Sequence, residues 1–185
     1  MASINRSLLL SLLVMTVSFG LLGCSAPTVA TSSRELSPGA SSIEVVQAQP
    51  RGQKLPITAH ARIGDTTIHL EVARTPRQQA LGLMFRTPLP NDRGMLFPFD
   101  PPRPVHFWMK NVPVPLDMVF LKDGEVRAIA PSVPPCTDDP CPLYGPEGDV
   151  EIDRVIELRA GRAAELGLQP GDRIEIEFVE DSSSP

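Results

Sequence analysis

The 185-residue sequence predicts one α+β domain that is mostly antiparallel β, a small closed or nearly closed β-barrel-like sheet with two short helices. Three observations carry that expectation. Apolar and polar residues alternate through residues 55–72, on either side of Gly64-Asp65, which is the period of half-buried strands. Turn signals recur about every ten residues, which favours a sheet that closes on itself. Only two short stretches, starting at Pro76 and Arg162, carry helix start and stop signals.

The elements follow in order. Leu55, Ile57, Ala59, Ala61 and Ile63 alternate with mostly polar residues, as do Ile68, Leu70 and Val72. A two-residue turn at Gly64-Asp65 sets Ile63 opposite Thr66. The same register places Ala61 opposite Ile68, Ala59 opposite Leu70 and Ile57 opposite Val72, so apolar meets apolar beyond the turn. Thr75-Pro76-Arg77-Gln78 is a helix start, with Thr as N-cap, Pro at N1 and Gln at N3 of a capping box. That helix is expected to stop near Arg86-Thr87-Pro88. Gly94 to Phe99 and Val105 to Met109 read as two short strands separated by Asp100-Pro101-Pro102. Leu116 to Leu121 and Glu125 to Ala130 flank the turn Asp123-Gly124, with Lys122 facing Glu125. Val155 to Leu158 reads as strand, and Arg162 to Leu166 as a short helix with Gly167 just beyond its end. A turn at Pro170-Gly171-Asp172 leads to a last strand with Ile174, Ile176 and Phe178 on one face. There is no internal repeat.

The N-terminal part has a different character. Leu8 to Leu22 is apolar and uncharged, follows Arg6, and is too short for a comfortable membrane span of about 20 residues. With Leu21-Leu22-Gly23-Cys24 it resembles a bacterial lipoprotein signal peptide. The resemblance implies cleavage before Cys24, lipid on its sulfur, and an exported protein anchored at the cell envelope and facing the periplasm. Ser25 slightly favours the outer membrane. Residues 24–54, rich in Ser, Ala, Thr, Gln and Pro, read as a flexible tether spanning roughly 30 Å. The domain follows over 55–180, and 181–185 reads as a disordered tail.

Charge and cysteine usage narrow the function. The net charge is −5, and loss of residues 1–23 removes one Arg and no acid, giving −6. An acidic chain without a Lys/Arg cluster is a poor candidate for nucleic acid. Twenty-one prolines, about double the usual ~5%, indicate a loop-rich folded domain. With Cys24 assigned to lipid, Cys136 and Cys141 remain as an even pair in an oxidising compartment, expected as a disulfide. It closes so small a loop that it contributes about 2 kcal/mol. Their C-x4-C spacing and proline flanks fit neither redox catalysis nor a zinc site.

The ordered motifs Gly82-Leu83-Met84-Phe85-Arg86, Gly94-Met95-Leu96-Phe97, Phe107-Trp108-Met109-Lys110-Asn111, Pro115-Leu116-Asp117, Glu157-Leu158 with Ala160-Gly161, and Gly171-Asp172 resemble the DUF192 family, also called UPF0127. The resemblance spans about residues 55–178. It implies a compact, β-rich α+β domain, often exported. It implies no reaction and transfers no catalytic residue.

Three constellations remain. His60 and His69 face each other in the derived register, with Glu71 diagonal to His60 as a third metal ligand to be weighed. Alternation puts His106, Trp108 and Lys110 on one face and Val105, Phe107 and Met109 on the other. The first face mixes the only tryptophan with a cation and an imidazole, as a recognition surface does. Asp117 is expected on a face with Val119 and Leu121, opposite Ala128 and Ala130, so its carboxylate needs a partner. Lys110, Asn111, Arg86 or the backbone N–H groups of the Pro113-Val114-Pro115 turn are the candidates. His106, Trp108, Lys110, Asn111 and Asp117 therefore form the candidate binding surface.

The reading is an envelope protein of no assigned reaction whose domain binds a small molecule or a protein partner. No cofactor or metal is called for, and the membrane is met through the lipid on Cys24. The alternatives are an envelope hydrolase using Asp117 with Lys110 or His106, and a purely structural envelope part. No G-x-S-x-G, phosphate-binding loop or H-E-x-x-H motif is present in the sequence. Cys24→Ala is expected to yield protein extractable without detergent and lacking a lipid adduct. Membrane fractionation and intact mass check this, and an unchanged adduct would remove the anchor.

Overall fold

A computed structural model describes residues 52–180. The signal segment, Cys24, the tether up to residue 51 and the tail 181–185 lie outside the described residues. Seven strands and two short helices form the domain: β1 (Ile57–Ile63), β2 (Thr66–Val72), α1 (Pro76–Leu81), β3 (Arg93–Arg103), β4 (Leu116–Lys122), β5 (Glu125–Val133), β6 (Ile152–Arg159), α2 (Arg162–Glu165) and β7 (Glu175–Phe178). The strands form one sheet in the order β5-β4-β6-β3-β2-β1-β7. Every pairing is antiparallel except β2 with β3, whose crossover carries α1. The sheet curls into a half-barrel. The start of β5 also bonds to the segment before β7, through Val126 N–H to Asp172 O and Ile174 N–H to Gly124 O, each 2.8 Å. This is the α+β, mostly antiparallel barrel-like fold expected.

The first hairpin has the register derived from its alternation: Ile63 meets Thr66, Ala61 meets Ile68 and Ala59 meets Leu70. Beyond Ala59 an irregularity shifts it, so Ile57 meets Glu71 instead of Val72. In the second hairpin Lys122 faces Glu125, but an extra residue at Arg127 slips the pairing by one. Met118 and Phe120, not Asp117 and Val119, stand opposite Ala130 and Ala128.

The capping box of α1 is present in full. Thr75 Oγ1 accepts from Gln78 N–H, and Gln78 Oε1 accepts from Thr75 N–H at 2.9 Å. The helix stops at Leu81, a turn earlier than expected, because Gly82 takes φ +46° and donates its N–H to Gln78 O. Pro88 would stop a longer helix, but the glycine acts first.

The region 94–109 differs most from expectation. β3 is one eleven-residue strand running through Pro98, Pro101 and Pro102. It pairs with β2 only as far as Leu96, so its later half has one edge free of a strand partner, where a missing N–H breaks no ladder. Val105–Met109 is not a strand. Its backbone makes a single bridge, Phe107 to Tyr144. The in–out alternation nevertheless persists: Val105 and Met109 are buried, while His106 and Trp108 are exposed.

The sheet has apolar residues on both faces. Inside the curl all the strands contribute to a cluster with Ile68, Leu70, Leu96, Val119, Ile156 and Leu158, covered by Ala163 and Leu168 around α2. The outer face carries a second cluster, including Met95, Phe97, Met118, Phe120 and Val155. It is roofed by the turn after α1, with Leu83 and Met84, by the 104–114 segment and by Cys136 of the Cys136–Cys141 disulfide.

Candidate functional site

The roof over the outer face is incomplete. A cavity of about 340 Å³ opens between α1, β3 and the 104–108 segment, lined by Gln79, Phe97, Phe99, Arg103, His106 and Trp108 among others. Phe97 and Phe99 share a strand face by the two-residue period of β3. Phe107 stands edge-on to both, with ring centroids 5.0 and 6.4 Å away. Its backbone is held by two 2.8 Å hydrogen bonds with Tyr144, three residues beyond the disulfide-closed loop. Gln79 Nε2 donates to Ala73 O and Pro98 O, tying α1 to β3. At the mouth the Arg103 guanidinium lies 4.9 Å from the Phe99 ring centroid. Lys110 Nζ lies 5.5 Å from that of Trp108, which is 46% exposed.

Behind this cavity lies a recess of about 30 Å³. It shares Gln79, Ala80, Phe97, Phe107 and Trp108 with the outer cavity and reaches Met84, Val112 and Glu157. That is space for about one water-sized group. Glu157 lies on β6, an inner strand of the sheet, between Met95 on β3 and Met118 on β4. It is buried, and its Oε2 has no hydrogen-bond partner among the described residues. Burial pushes its carboxyl up to about 8, with no neighbouring charge contributing. At neutral pH it is a neutral acid that can both donate and accept.

Sequence reasoning quoted Glu157 only as part of a motif. Its signal was present: Val155 and Leu158 mark β6 as buried on both faces, so a carboxyl between them has no solvent side.

The structure divides the expected surface residues. His106 and Trp108 line the cavity and Lys110 covers the Trp108 ring. Asn111 takes φ +58°, a conformation Asn tolerates, and its carbonyl accepts Phe85 N–H at 2.8 Å. Its amide stands 4.0 Å from Met84 Sδ. Asp117 does not join them. It is fully buried and holds backbone: Oδ1 accepts from Ser132 N–H at 2.7 Å and Gly161 N–H at 3.0 Å, and Oδ2 accepts from Ala163 N–H at 2.7 Å. Its partners are therefore neither Lys110, Asn111 and Arg86 nor the proline turn. Both oxygens are engaged, and neither Lys110 nor His106 donates to them, so the paired chemistry a hydrolase would need is not assembled around Asp117.

His60 and His69 do face each other, edge-to-face at 4.7 Å. Glu71 is not free to join them, because its Oε2 accepts from Arg86 Nη1 at 2.7 Å and Leu55 N–H at 2.8 Å. Among the described residues no group of three His, Cys, Asp or Glu side chains is placed to hold a metal ion. Cys24 lies outside the described residues.

Residues 58–176 match the family model DUF192, "Uncharacterized ACR". Two solved structures resemble the chain. One is a protein of unknown function from Novosphingobium aromaticivorans DSM 12444, 36% identical, covering 65% of this chain and 84% of its own, with a TM-score of 0.57. The other is a candidate transcription regulator from Sinorhizobium meliloti 1021, 34% identical, covering 67% of this chain and 97% of its own, with a TM-score of 0.54. The comparison with curated proteins gives no match.

Two stability predictions follow from the buried carboxyls. Asp117→Asn puts an NH₂ group against at least one backbone donor and removes the charge from the rest. It is expected to cost about 3 kcal/mol, or about 10 °C in a thermal melt. Glu157 acts in the opposite sense. Between its unfolded value of 4.5 and its folded value of about 8 the folded state holds a proton that the unfolded state has lost. Stability should therefore fall as pH rises through that window, by about 1.4 kcal/mol per pH unit, and level off above it. Melts of Glu157→Gln should show a flatter profile, with the variant more stable than wild type at pH 9. Parallel profiles would contradict the assignment.

Proposed function

We propose the following function for this chain, which belongs to the DUF192 family: it is an exported, lipid-anchored protein of the cell envelope whose single domain binds a small molecule in the cavity at Trp108. The observation that carries the reading is Glu157. A buried carboxyl without a hydrogen-bond partner is costly, and such groups persist where they have work to do. It lies in a recess continuous in its walls with an aromatic cavity open at Trp108. An apolar pocket with a few convergent polar groups is the usual form of a ligand site.

The envelope location is supported by the apolar run ending at Cys24 and by the bonded cysteine pair, which suits an oxidising compartment. A net charge of −5 and a sequence without a Lys/Arg cluster do not favour a nucleic-acid reading such as the Sinorhizobium relative's description suggests.

A thermal-shift screen of small polar and aromatic metabolites tests the binding reading. A binder should raise the melting temperature of wild type and perturb the fluorescence of Trp108, the only tryptophan. Trp108→Ala should weaken it by about tenfold or more. Because the ring is half exposed, that variant should itself lose less than about 2 kcal/mol. Ligands that stabilise both proteins equally would place binding elsewhere. A partner protein captured through Trp108, with no small-molecule binder, would replace the reading.

A further inference from the structure

The chemistry at the two ends of the cavity is opposite, and that restricts what can fill it. At the inner end the recess is water-sized, and three of its walls are aromatic rings, Phe97, Phe107 and Trp108. Aromatic rings attract cations. Its ionisable lining group is Glu157, and the Nε2 of Gln79, another lining residue, is already bonded to Ala73 O and Pro98 O. At the outer end the lining residues include Arg103 and His106 and no carboxylate, and Lys110 lies over Trp108. The space between is bounded by Phe97 and Phe99.

We propose that the cavity takes a small zwitterion, with a primary ammonium in the recess against Glu157 and an anionic group at the mouth beside Arg103 and His106. The proposal rests on the reading of the cavity as a ligand site. A buried ammonium is tolerated only if it is paired, and Glu157 is the pairing group. The recess admits an ammonium, about the size of a water, and excludes a trimethylammonium.

Pairing has a proton consequence. Glu157 enters the free site as a neutral acid and the ligand enters as an ammonium. Once the two meet, the carboxyl gives its proton to the buffer and the ammonium keeps its own. Across the sheet Glu157 faces Met95 on β3 and Met118 on β4, both uncharged. The next charges in that row are Glu71 on β2, paired with Arg86. On the roof the charged groups are Arg103, His106 and Lys110. None of these is bonded to Glu157, so the released proton is its own.

Isothermal titration calorimetry of the full-length protein at pH 7 tests this. The probes are unbranched ω-amino carboxylates, from 3-aminopropanoate to 8-aminooctanoate. Each is compared with the alkanoate and the alkylamine of the same length and with its N-trimethyl derivative. At least one amino carboxylate should bind about tenfold or more tighter than all three controls. Repetition in buffers of different ionisation enthalpy should show about one proton released per ligand. Glu157→Gln should abolish both the proton release and the preference for the amine. An alkanoate binding as tightly as its amino counterpart, without proton release, overturns the zwitterion and leaves the cavity a ligand site. No heat from any member also overturns it. The Trp108→Ala comparison in the metabolite screen then decides separately whether the cavity binds anything.

Discussion

Three backbone N–H groups converge on one carboxylate, and the rest of the domain is arranged around that meeting. Asp117 sits on β4 with no access to water. It collects Ser132 from the end of β5, where φ is +48°, and Gly161 and Ala163 from the entry to α2. The α2 helix has no side-chain cap of its own, so Asp117 supplies from outside what a Ser or Asp at the N-cap would supply from within. A single side chain thus joins β4, β5 and the β6–α2 corner. It holds α2 where Ala163 can close the interior cluster. Without it, the buried Ala163 donor and the part-buried donors of Ser132 and Gly161 would lose their acceptor, the buried one at a cost on the order of 1–3 kcal/mol.

The same sheet carries a second buried carboxyl in the opposite condition. Asp117 faces donors and is fully engaged; Glu157 faces methionines and a small recess and is not. Their contrast separates scaffold from candidate site. A carboxylate saturated with backbone donors has no capacity left for another molecule. One left unpaired at the floor of a cavity has all of it. On the opposite face Gly94 lets β3 and β6 pack closely, because a Cβ there would stand 2.8 Å from the Glu157 carbonyl oxygen and 2.9 Å from Leu70 in the interior cluster.

What could be read from the chain was mostly local. The first hairpin and the Thr75 capping box each depend on residues within a few positions, and both take the form their sequence implies. Alternation also separated the buried and exposed sides of residues 105–110, although no strand exists there. What failed was non-local. The prolines of β3 break a ladder only if both edges are paired, and nothing near Pro98 tells that β2 ends its pairing at Leu96. Asp117 needs a partner by its apolar strand, and backbone N–H groups do serve it, yet they lie 15 to 46 residues away and not in the nearby Pro113-Val114-Pro115 turn. Glu157 acquires its meaning only when Phe97, Phe107 and Trp108 are brought around it from two separate segments.

The strand order has a consequence in time. β1 opens the sheet in sequence, yet one of its two neighbours is β7, the last strand to be made. Ala61 must wait for Ile176, and the bonds that draw β5 toward residues 171–174 wait as well. Such contacts carry a loop-closure cost before they yield any gain, and chains rich in them fold slowly. A nascent chain therefore keeps one edge of β1 open through the synthesis of everything between, and the sheet is completed only after the C-terminal residues arrive. The proposed export, in which the chain would thread through a membrane before folding, would be served by that delay.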